Sequence, residues 1–153
     1  MRRMTRCFEE RQAAAVIAFE EVPVADVRHY GIAAPKNGAG DVFEIDDLVE
    51  KPSQAEAPSN LAIAARYVLS PAIFPALSET QPGKGGEIQL TDGIRALIRK
   101  GGRAYGVRLG EGERRYDIGN FETYFRAFVE FALADPRFGQ TLRHHLEHVL
   151  RGR

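Results

Sequence analysis

The sequence predicts a single mixed α/β domain, in which a mixed sheet is flanked by helices. The chain has 153 residues, which is the length of one ordinary domain. Short apolar runs that end at turn residues predict strands, whereas apolar residues at spacings of three and four predict helices. The two patterns alternate irregularly, with hairpin signals between them, and this arrangement favours a mixed sheet over a purely parallel one.

The charge balance and the apolar pattern exclude several classes of protein. The 21 Lys and Arg residues are matched by 21 Asp and Glu residues, so the chain lacks the net positive charge that favours nucleic acid or anionic membranes. No apolar run approaches the roughly 18 residues of a membrane span. The single cysteine, Cys7, excludes an internal disulfide and is interpreted as a buried thiol. We therefore expect a cytoplasmic protein with no nucleic-acid partner and no membrane partner.

The first half of the chain predicts mainly strands. Residues 2–12 are charged and predict only a frayed helix end. Residues 13–19 are apolar on both faces, which predicts a central strand covered on both sides. Residues 30–34 and 41–45 flank a Pro-Lys-Asn-Gly turn and predict a hairpin. Residues 61–69 predict a further buried strand.

The second half of the chain predicts mainly helices. These are a helix over 72–77 capped by Ser70, a helix capped by Thr91 or Asp92, a helix capped by Asn120 and a terminal helix over about 136–153. Short strands are predicted at 104–109 and 115–118. Aromatic residues from Phe121 to Phe131 recur at spacings of three and four, so we expect them to pack in the core.

Two places in the sequence carry residues suited to phosphate chemistry. Glu50 and Lys51 follow an apolar strand, and ligands of open α/β sheets bind just beyond strand ends. Side chains alternate along a strand, so a ligand shared by these two would lie across the strand end. The point charge of a lysine suits a phosphate oxygen, and a carboxylate can accept hydrogen bonds from sugar hydroxyls. Asp117, just before a glycine and a helix, is suited to bind Mg2+. Taken singly, Glu50 and Lys51 are better explained as a solvated ion pair at a strand end, and ordinary turn chemistry explains Asp117 at least as well.

Six short motifs together say more than any one of them. They are Tyr30-Gly31, Val-Glu-Lys-Pro at 49–52, Ala-Pro-Ser-Asn-Leu-Ala-Ile at 57–63, Arg-Tyr-Val-Leu at 66–69, Gly-Glu-Ile-Gln-Leu-Thr-Asp at 86–92, and Asp117-x-Gly-Asn120. In this order, and over almost the whole chain, they resemble the bacterial UTP–glucose-1-phosphate uridylyltransferases. These enzymes, also called UDP-glucose pyrophosphorylases, belong to the sugar nucleotidyltransferase superfamily.

The resemblance implies a fold, a reaction and a set of site residues. The fold is Rossmann-like, of the glycosyltransferase-A type, and the reaction makes UDP-glucose and pyrophosphate from UTP and glucose-1-phosphate. Lys51 matches the family's catalytic lysine that contacts the sugar phosphate, and Glu50 matches the carboxylate that binds glucose hydroxyls. Gly31 matches the glycine whose backbone approaches the sugar. Asp117 aligns with a magnesium-binding aspartate, so Mg2+ is the expected cofactor.

The sequence departs from the family pattern in two ways. Ala65 stands where the family usually has glycine. The Gly-x-Gly-Thr-Arg loop that cradles the triphosphate, and the Leu-Pro-Asp segment that carries a first metal ligand, do not occur in these residues. We therefore interpret residues 1–153 as one partial domain, the C-terminal, sugar-phosphate-binding half of the fold, inactive alone. Its strand at 15–19 is expected to expose an edge that drives self-association or pairing with an N-terminal half.

Two alternatives to this function stay open at the level of sequence. The chain fits a non-catalytic interaction or oligomerisation module, and it also fits a sugar nucleotidyltransferase that uses dTTP or ATP. The residues that choose the nucleotide would lie in the N-terminal half. His144, His145 and His148 share one predicted helix, but no third ligand accompanies the His144–His148 spacing, so we interpret them as a solvated face.

Overall fold

The computed structural model describes residues 1–83, 86–116 and 118–152. They cluster into two compact units, Met1–Glu113 and Arg114–Arg153. In chain order the first unit contains α1 (Arg2–Arg11), β1 (Ala15–Glu21), a 3₁₀ helix (Val24–His29), β2 (Gly31–Pro35), β3 (Val42–Glu50), β4 (Leu61–Leu69), α2 (Ile73–Glu79), α3 (Leu90–Arg99) and β5 (Ala104–Arg108). The second unit contains α4 (Phe121–Ala134) and α5 (Gly139–Arg151). The α/β class is confirmed.

The five strands of the first unit close into a barrel in the order β1-β4-β2-β3-β5. β1 runs parallel to β5, whereas every other neighbouring pair is antiparallel, so the predicted mixed sheet is confirmed. The side chains of Ala15 to Phe19 are at most 3% exposed, and β1 has a hydrogen-bonded partner on each side. The expectation that residues 15–19 form an exposed edge is therefore wrong, because β5 covers the side that the sequence left open.

β4 is paired over only part of its length on the side of β2. It is paired with β1 from Leu61 to Leu69, but among the described residues it meets β2 at one pair, Ile32 with Ala62. Residues 65–69 are exposed or only partly buried, unlike residues 61–64. An unpaired strand edge presents free N–H and C=O groups to any strand that can join it. Among the described residues, 65–69 of β4 thus have a strand partner on one side only, and we call this stretch the open edge of β4.

A bulge in the β1–β4 ladder contains Ala65. The register shifts between Ile17 and Phe19, and segment 64–66 of β4 stands opposite Ala18 alone. Ala65 has φ 51°, in the left-handed region where a Cβ atom is disfavoured and glycine is preferred. The backbone of this bulge therefore gives a local reason for a glycine here, independent of any approach to a sugar.

The N-terminal segment forms a regular helix rather than a frayed end. α1 covers Arg2–Arg11, and Met4 and Cys7, three positions apart, are both buried. They pack with Val16 and Tyr105 of the barrel in one apolar cluster. Burial raises the pKa of the Cys7 thiol, which keeps it protonated and unreactive. The interpretation of Cys7 as a buried thiol is confirmed.

Three details of the second half differ from the sequence predictions. α2 begins after Ala72 without a side-chain cap, so Ser70 does not cap it. α3 begins at Leu90 after Gln89, which places Thr91 and Asp92 inside its first turn rather than at the cap. Of the predicted strand at 115–118, no described residue lies in a strand.

α4 begins where the sequence predicts, but its aromatic residues are exposed. The Asn120 side chain accepts a hydrogen bond from the Thr123 N–H at 3.0 Å, which confirms the cap. Phe121 is 80% exposed, and Ala127 is the buried residue of the helix. The expectation of core packing is wrong for Phe121, Tyr124, Phe125, Phe128 and Phe131. Helical spacing predicts an apolar face but not what covers it.

Within the described ranges, no helix is long and apolar enough to cross a membrane.

Candidate functional site

Gly31 and Glu50 meet at one end of the barrel. Gly31 begins β2, Glu50 ends β3, and the register of the two strands pairs them directly. A Cβ atom on Gly31 would lie 2.7 Å from Cδ1 of Ile63 and 3.1 Å from Oε2 of Glu50. A side chain at this position would force the end of Ile63 to shift and would crowd the Glu50 carboxylate, so the site favours a residue without a side chain. The Gly31 backbone consequently lies beside the Glu50 carboxylate.

The two oxygens of the Glu50 carboxylate have different neighbours. The Thr91 hydroxyl donates a hydrogen bond to Oε2 at 2.7 Å. The Lys51 ammonium lies 3.9 Å from Oε1. The side chain of Glu50 is 18% exposed and that of Lys51 is 45% exposed, so both groups are accessible to a ligand in solution. The result is an accessible pair of opposite charges at the barrel end.

Lys51 lies beyond the strand, and its backbone turns. Its φ is 47°, in the left-handed region, and its N–H donates to the carbonyl of Tyr30 at 2.9 Å. A non-glycine residue in this conformation is uncommon, and such residues cluster at functional sites. The expectation that the side chains of Glu50 and Lys51 alternate across a strand end is wrong, because β3 ends at Glu50 and the turn brings Lys51 toward the carboxylate.

Tyr67 of β4 is a residue of this site that sequence reasoning left without a role. Burial and, after it, the negative charge of Glu50 raise the pKa of the Tyr67 phenol. The phenol and the carboxylate therefore share one electrostatic environment at the barrel end. The sequence placed Tyr67 in a motif but gave no sign that the charge of Glu50 acts on it, because the two positions lie on different strands.

The coupling between Tyr67 and Glu50 gives a measurable expectation. Glu50→Gln removes the negative charge, so we expect the pKa of Tyr67 to fall while remaining above that of a free tyrosine, because burial persists. A pH titration of ¹³C-labelled tyrosine followed by NMR measures this change, and Glu44→Gln on the same strand serves as the control. An unchanged Tyr67 titration in the Glu50 variant would contradict the arrangement.

An ion pair attaches α3 to β3 next to the site. Arg95 donates to both carboxylate oxygens of Asp47, at 2.7 and 2.9 Å, and Asp92 lies 3.7 Å from the same guanidinium. Burial alone would raise the pKa of Asp47, but the hydrogen bonds from Arg95 and from the Leu48 N–H, together with nearby arginine charge, outweigh it and lower that pKa. Thr91 and Arg95 are one helical turn apart, so this pair helps to hold Thr91 against Glu50.

The Ala-Pro-Ser-Asn motif has a structural explanation. The Ser59 hydroxyl donates to the carbonyl of Ala33 at 2.6 Å and accepts from the N–H of Leu61 at 3.1 Å. The Asn60 amide donates to the carbonyl of Val22 at 3.4 Å. These bonds connect the start of β4 to β2 and to the end of β1, so Ser59 and Asn60 stabilise the end of the loop that precedes β4.

The expected metal ligand, Asp117, lies outside the described residues. Among those that are described, no group of three or more His, Cys, Asp or Glu side chains is arranged to hold a metal ion. His144 and His148 are exposed on α5, as the solvated-face interpretation expects.

Comparison with known proteins identifies the family of the chain. The model of the nucleotidyl transferase family matches residues 1–133, and the chain belongs to that family. The chain is 42% identical over 134 residues to a UTP–glucose-1-phosphate uridylyltransferase of Staphylococcus epidermidis. The aligned residues cover 88% of this chain and 46% of that relative. A UTP–glucose-1-phosphate uridylyltransferase of Bacillus subtilis is 43% identical over 136 residues, with 89% and 45% covered. The chain thus spans about half the length of these curated relatives.

A solved structure gives the same result for the fold. The crystal structure of a UDP-glucose pyrophosphorylase complexed with UDP-glucose superposes with a TM-score of 0.76 at 40% identity, over 84% of this chain and 47% of that one. The mixed sheet and its helices are thus part of the α/β nucleotidyltransferase fold.

Proposed function

We propose that this chain is the C-terminal, sugar-phosphate-binding half of a UTP–glucose-1-phosphate uridylyltransferase. The observation that carries the proposal is the meeting of Gly31, Glu50 and Lys51 at one accessible barrel end. These three positions come from two separate motifs, and each has the group that binding a sugar phosphate needs. The names of the relatives support glucose-1-phosphate and UTP as the substrates.

In this proposal each residue of the site has a distinct task. The Glu50 carboxylate accepts hydrogen bonds from glucose hydroxyls, and the Gly31 backbone allows the sugar to lie close to the strand. The Lys51 ammonium binds an oxygen of the sugar phosphate and offsets its charge. Holding the phosphate in line with its target is most of what such a transfer requires of a protein.

The reaction itself is a displacement at phosphorus. An oxygen of glucose-1-phosphate forms a bond to the α-phosphorus of UTP, the bond from that phosphorus to the β-phosphate breaks, and pyrophosphate leaves. Lys51 transfers no proton in this step and acts through charge and position. We propose Mg2+ as the cofactor with Asp117 as one ligand, since Mg2+ takes one or two carboxylates besides phosphates and water.

The division of the site gives a direct test on the 153-residue chain. We expect the purified chain to bind glucose-1-phosphate, because Glu50 and Lys51 are present, but to release no pyrophosphate from UTP. NMR titration measures the binding, and a coupled phosphate assay measures the release. Inorganic sulfate at equal ionic strength is the control for non-specific anion binding. Absence of glucose-1-phosphate binding, or UTP-dependent release of pyrophosphate, would contradict the proposal.

A second candidate function, an interaction module, is favoured by the open edge of β4. We propose that residues 65–69 pair with a strand of a second copy or of an N-terminal half. Light scattering of the chain at micromolar concentration is expected to show particles larger than a monomer, with slow amide exchange at 65–69. A monomer in which these amides exchange rapidly would contradict the pairing.

A further inference from the structure

Thr91 is a buried polar residue with one specific contact. It is 6% exposed, and it lies in the first turn of α3. Its hydroxyl has a single hydrogen to donate, and it donates that hydrogen to Oε2 of Glu50 at 2.7 Å. Burial of a hydroxyl is unfavourable without such a bond, and a charged acceptor makes the bond stronger. The contact therefore fixes both groups.

The surroundings leave Thr91 little freedom to move. α3 is attached to the barrel by the buried Ile94 and Leu97 and by the Arg95–Asp47 ion pair. On the other side, a Cβ atom at Gly31 would lie 3.3 Å from the Thr91 hydroxyl oxygen. The hydroxyl is thus confined between a rigid helix and a strand.

The bond to Thr91 leaves the two carboxylate oxygens with different availability. Oε2 accepts the hydrogen bond from the Thr91 hydroxyl, whereas Oε1 lies 3.9 Å from the Lys51 ammonium. A ligand that has a hydroxyl group close to its phosphate group can contact Oε1 and Lys51 together. A carboxylate free to rotate would offer this arrangement only part of the time, and restricting that rotation raises affinity.

We propose that Thr91 is a positioning residue that orients the Glu50 carboxylate for the hydroxyl groups of a sugar phosphate. This inference rests on the proposed function, since it assigns a task to a neighbour of the same site. Thr91 does not contact the ligand and acts through Glu50. Its effect is therefore specific to the hydroxyl-bearing part of the ligand and spares the phosphate, which Lys51 binds.

The experiment compares two ligands and two variants on the 153-residue chain. Thr91→Val keeps the shape but removes the hydroxyl, whereas Thr91→Ser keeps the hydroxyl. NMR titrations measure the dissociation constants of glucose-1-phosphate and of inorganic phosphate, and thermal melts check folding. We expect Thr91→Val to weaken glucose-1-phosphate binding about tenfold, the effect of losing one hydrogen bond to a charged group. Inorganic phosphate binding stays unchanged, and Thr91→Ser restores the sugar-phosphate affinity.

The outcomes separate this inference from the proposed function. If the unmodified chain fails to bind glucose-1-phosphate, the proposed function is wrong and the positioning task with it. If the unmodified chain binds, the inference is overturned by equal weakening of both ligands, by no weakening, or by a serine variant that does not recover. Thr91→Ala replaces the valine variant if that variant does not fold. Loss of folding in both would leave Thr91 a purely structural residue, which also overturns the inference.

Discussion

Replacing Lys51 by alanine is expected to lower kcat about a hundredfold in an enzyme that contains both halves of the site. The reason is that the alanine variant leaves the charge on the reacting sugar phosphate uncompensated in the transition state, at a cost of about 3 kcal/mol. UTP binding is expected to change little, because Lys51 faces the sugar phosphate in our proposal. The measurement is steady-state kinetics on this chain fused behind the N-terminal half of the Bacillus subtilis relative.

Two variants separate the charge of Lys51 from other effects. Lys36→Ala removes a lysine that is also partly exposed and paired with a glutamate, Glu44, at 3.1 Å, and it is expected to leave kcat unchanged. Lys51→Gly removes the same charge but suits the left-handed backbone at this position, so it is expected to lose activity without losing stability. A Lys51→Ala enzyme with nearly the original kcat would show that another group binds the sugar phosphate.

Gly106→Ala is expected to destabilise the barrel by about 3 kcal/mol, the upper part of the range for overpacked cores. Gly106 lies on β5 opposite Phe43, and a Cβ atom there would lie 2.2 Å from Cζ of the Phe43 ring. The ring is buried and packs on Phe19 at a centroid distance of 5.4 Å, so it cannot swing away freely. Urea unfolding should show a lower midpoint with an unchanged slope.

A double-mutant cycle identifies the cause of this loss. Phe43→Ala removes the ring that occupies the space above Gly106, so Gly106→Ala should cost far less in that background than in the original chain. Ala104→Gly, on the same strand, controls for general effects of changing β5. Equal losses in the two backgrounds would mean that the strain at Gly106 comes from the backbone and not from Phe43.

The local parts of the fold were predictable from the sequence, and the closure of the sheet was not. An apolar run predicts a buried strand at 13–19 because both of its faces are covered, and the Pro-Lys-Asn-Gly turn predicts the β2–β3 hairpin because the paired strands are neighbours in sequence. The pairing of β1 with β5 depends on residues far apart in the chain, such as Ala15 and Ala104. No local pattern records such a contact.

The same distinction applies to the site. Gly31, Glu50 and Lys51 lie in short motifs, and the structure brings them together, while their roles and that of Asp117 stay predictions. Thr91 was interpreted as a helix cap, because a threonine before a helical pattern is a local signal for one. Its actual partner, Glu50, is 41 positions away and on another element. The Glu-Ile-Gln-Leu-Thr-Asp motif includes Thr91 but does not show which residue its side chain contacts.

The parallel pairing of β1 with β5 has a consequence for synthesis of the protein on the ribosome. β1 is translated before all the other strands of the barrel, and one of its two neighbours, β5, is the last of them. Until Ala104–Arg108 has left the exit tunnel, one whole side of β1 has no partner, and its apolar residues stand beside free backbone groups. Between the emergence of β1 and that of β5, the nascent chain therefore carries an aggregation-prone strand uncovered on one side, which is the condition that ribosome-associated chaperones relieve.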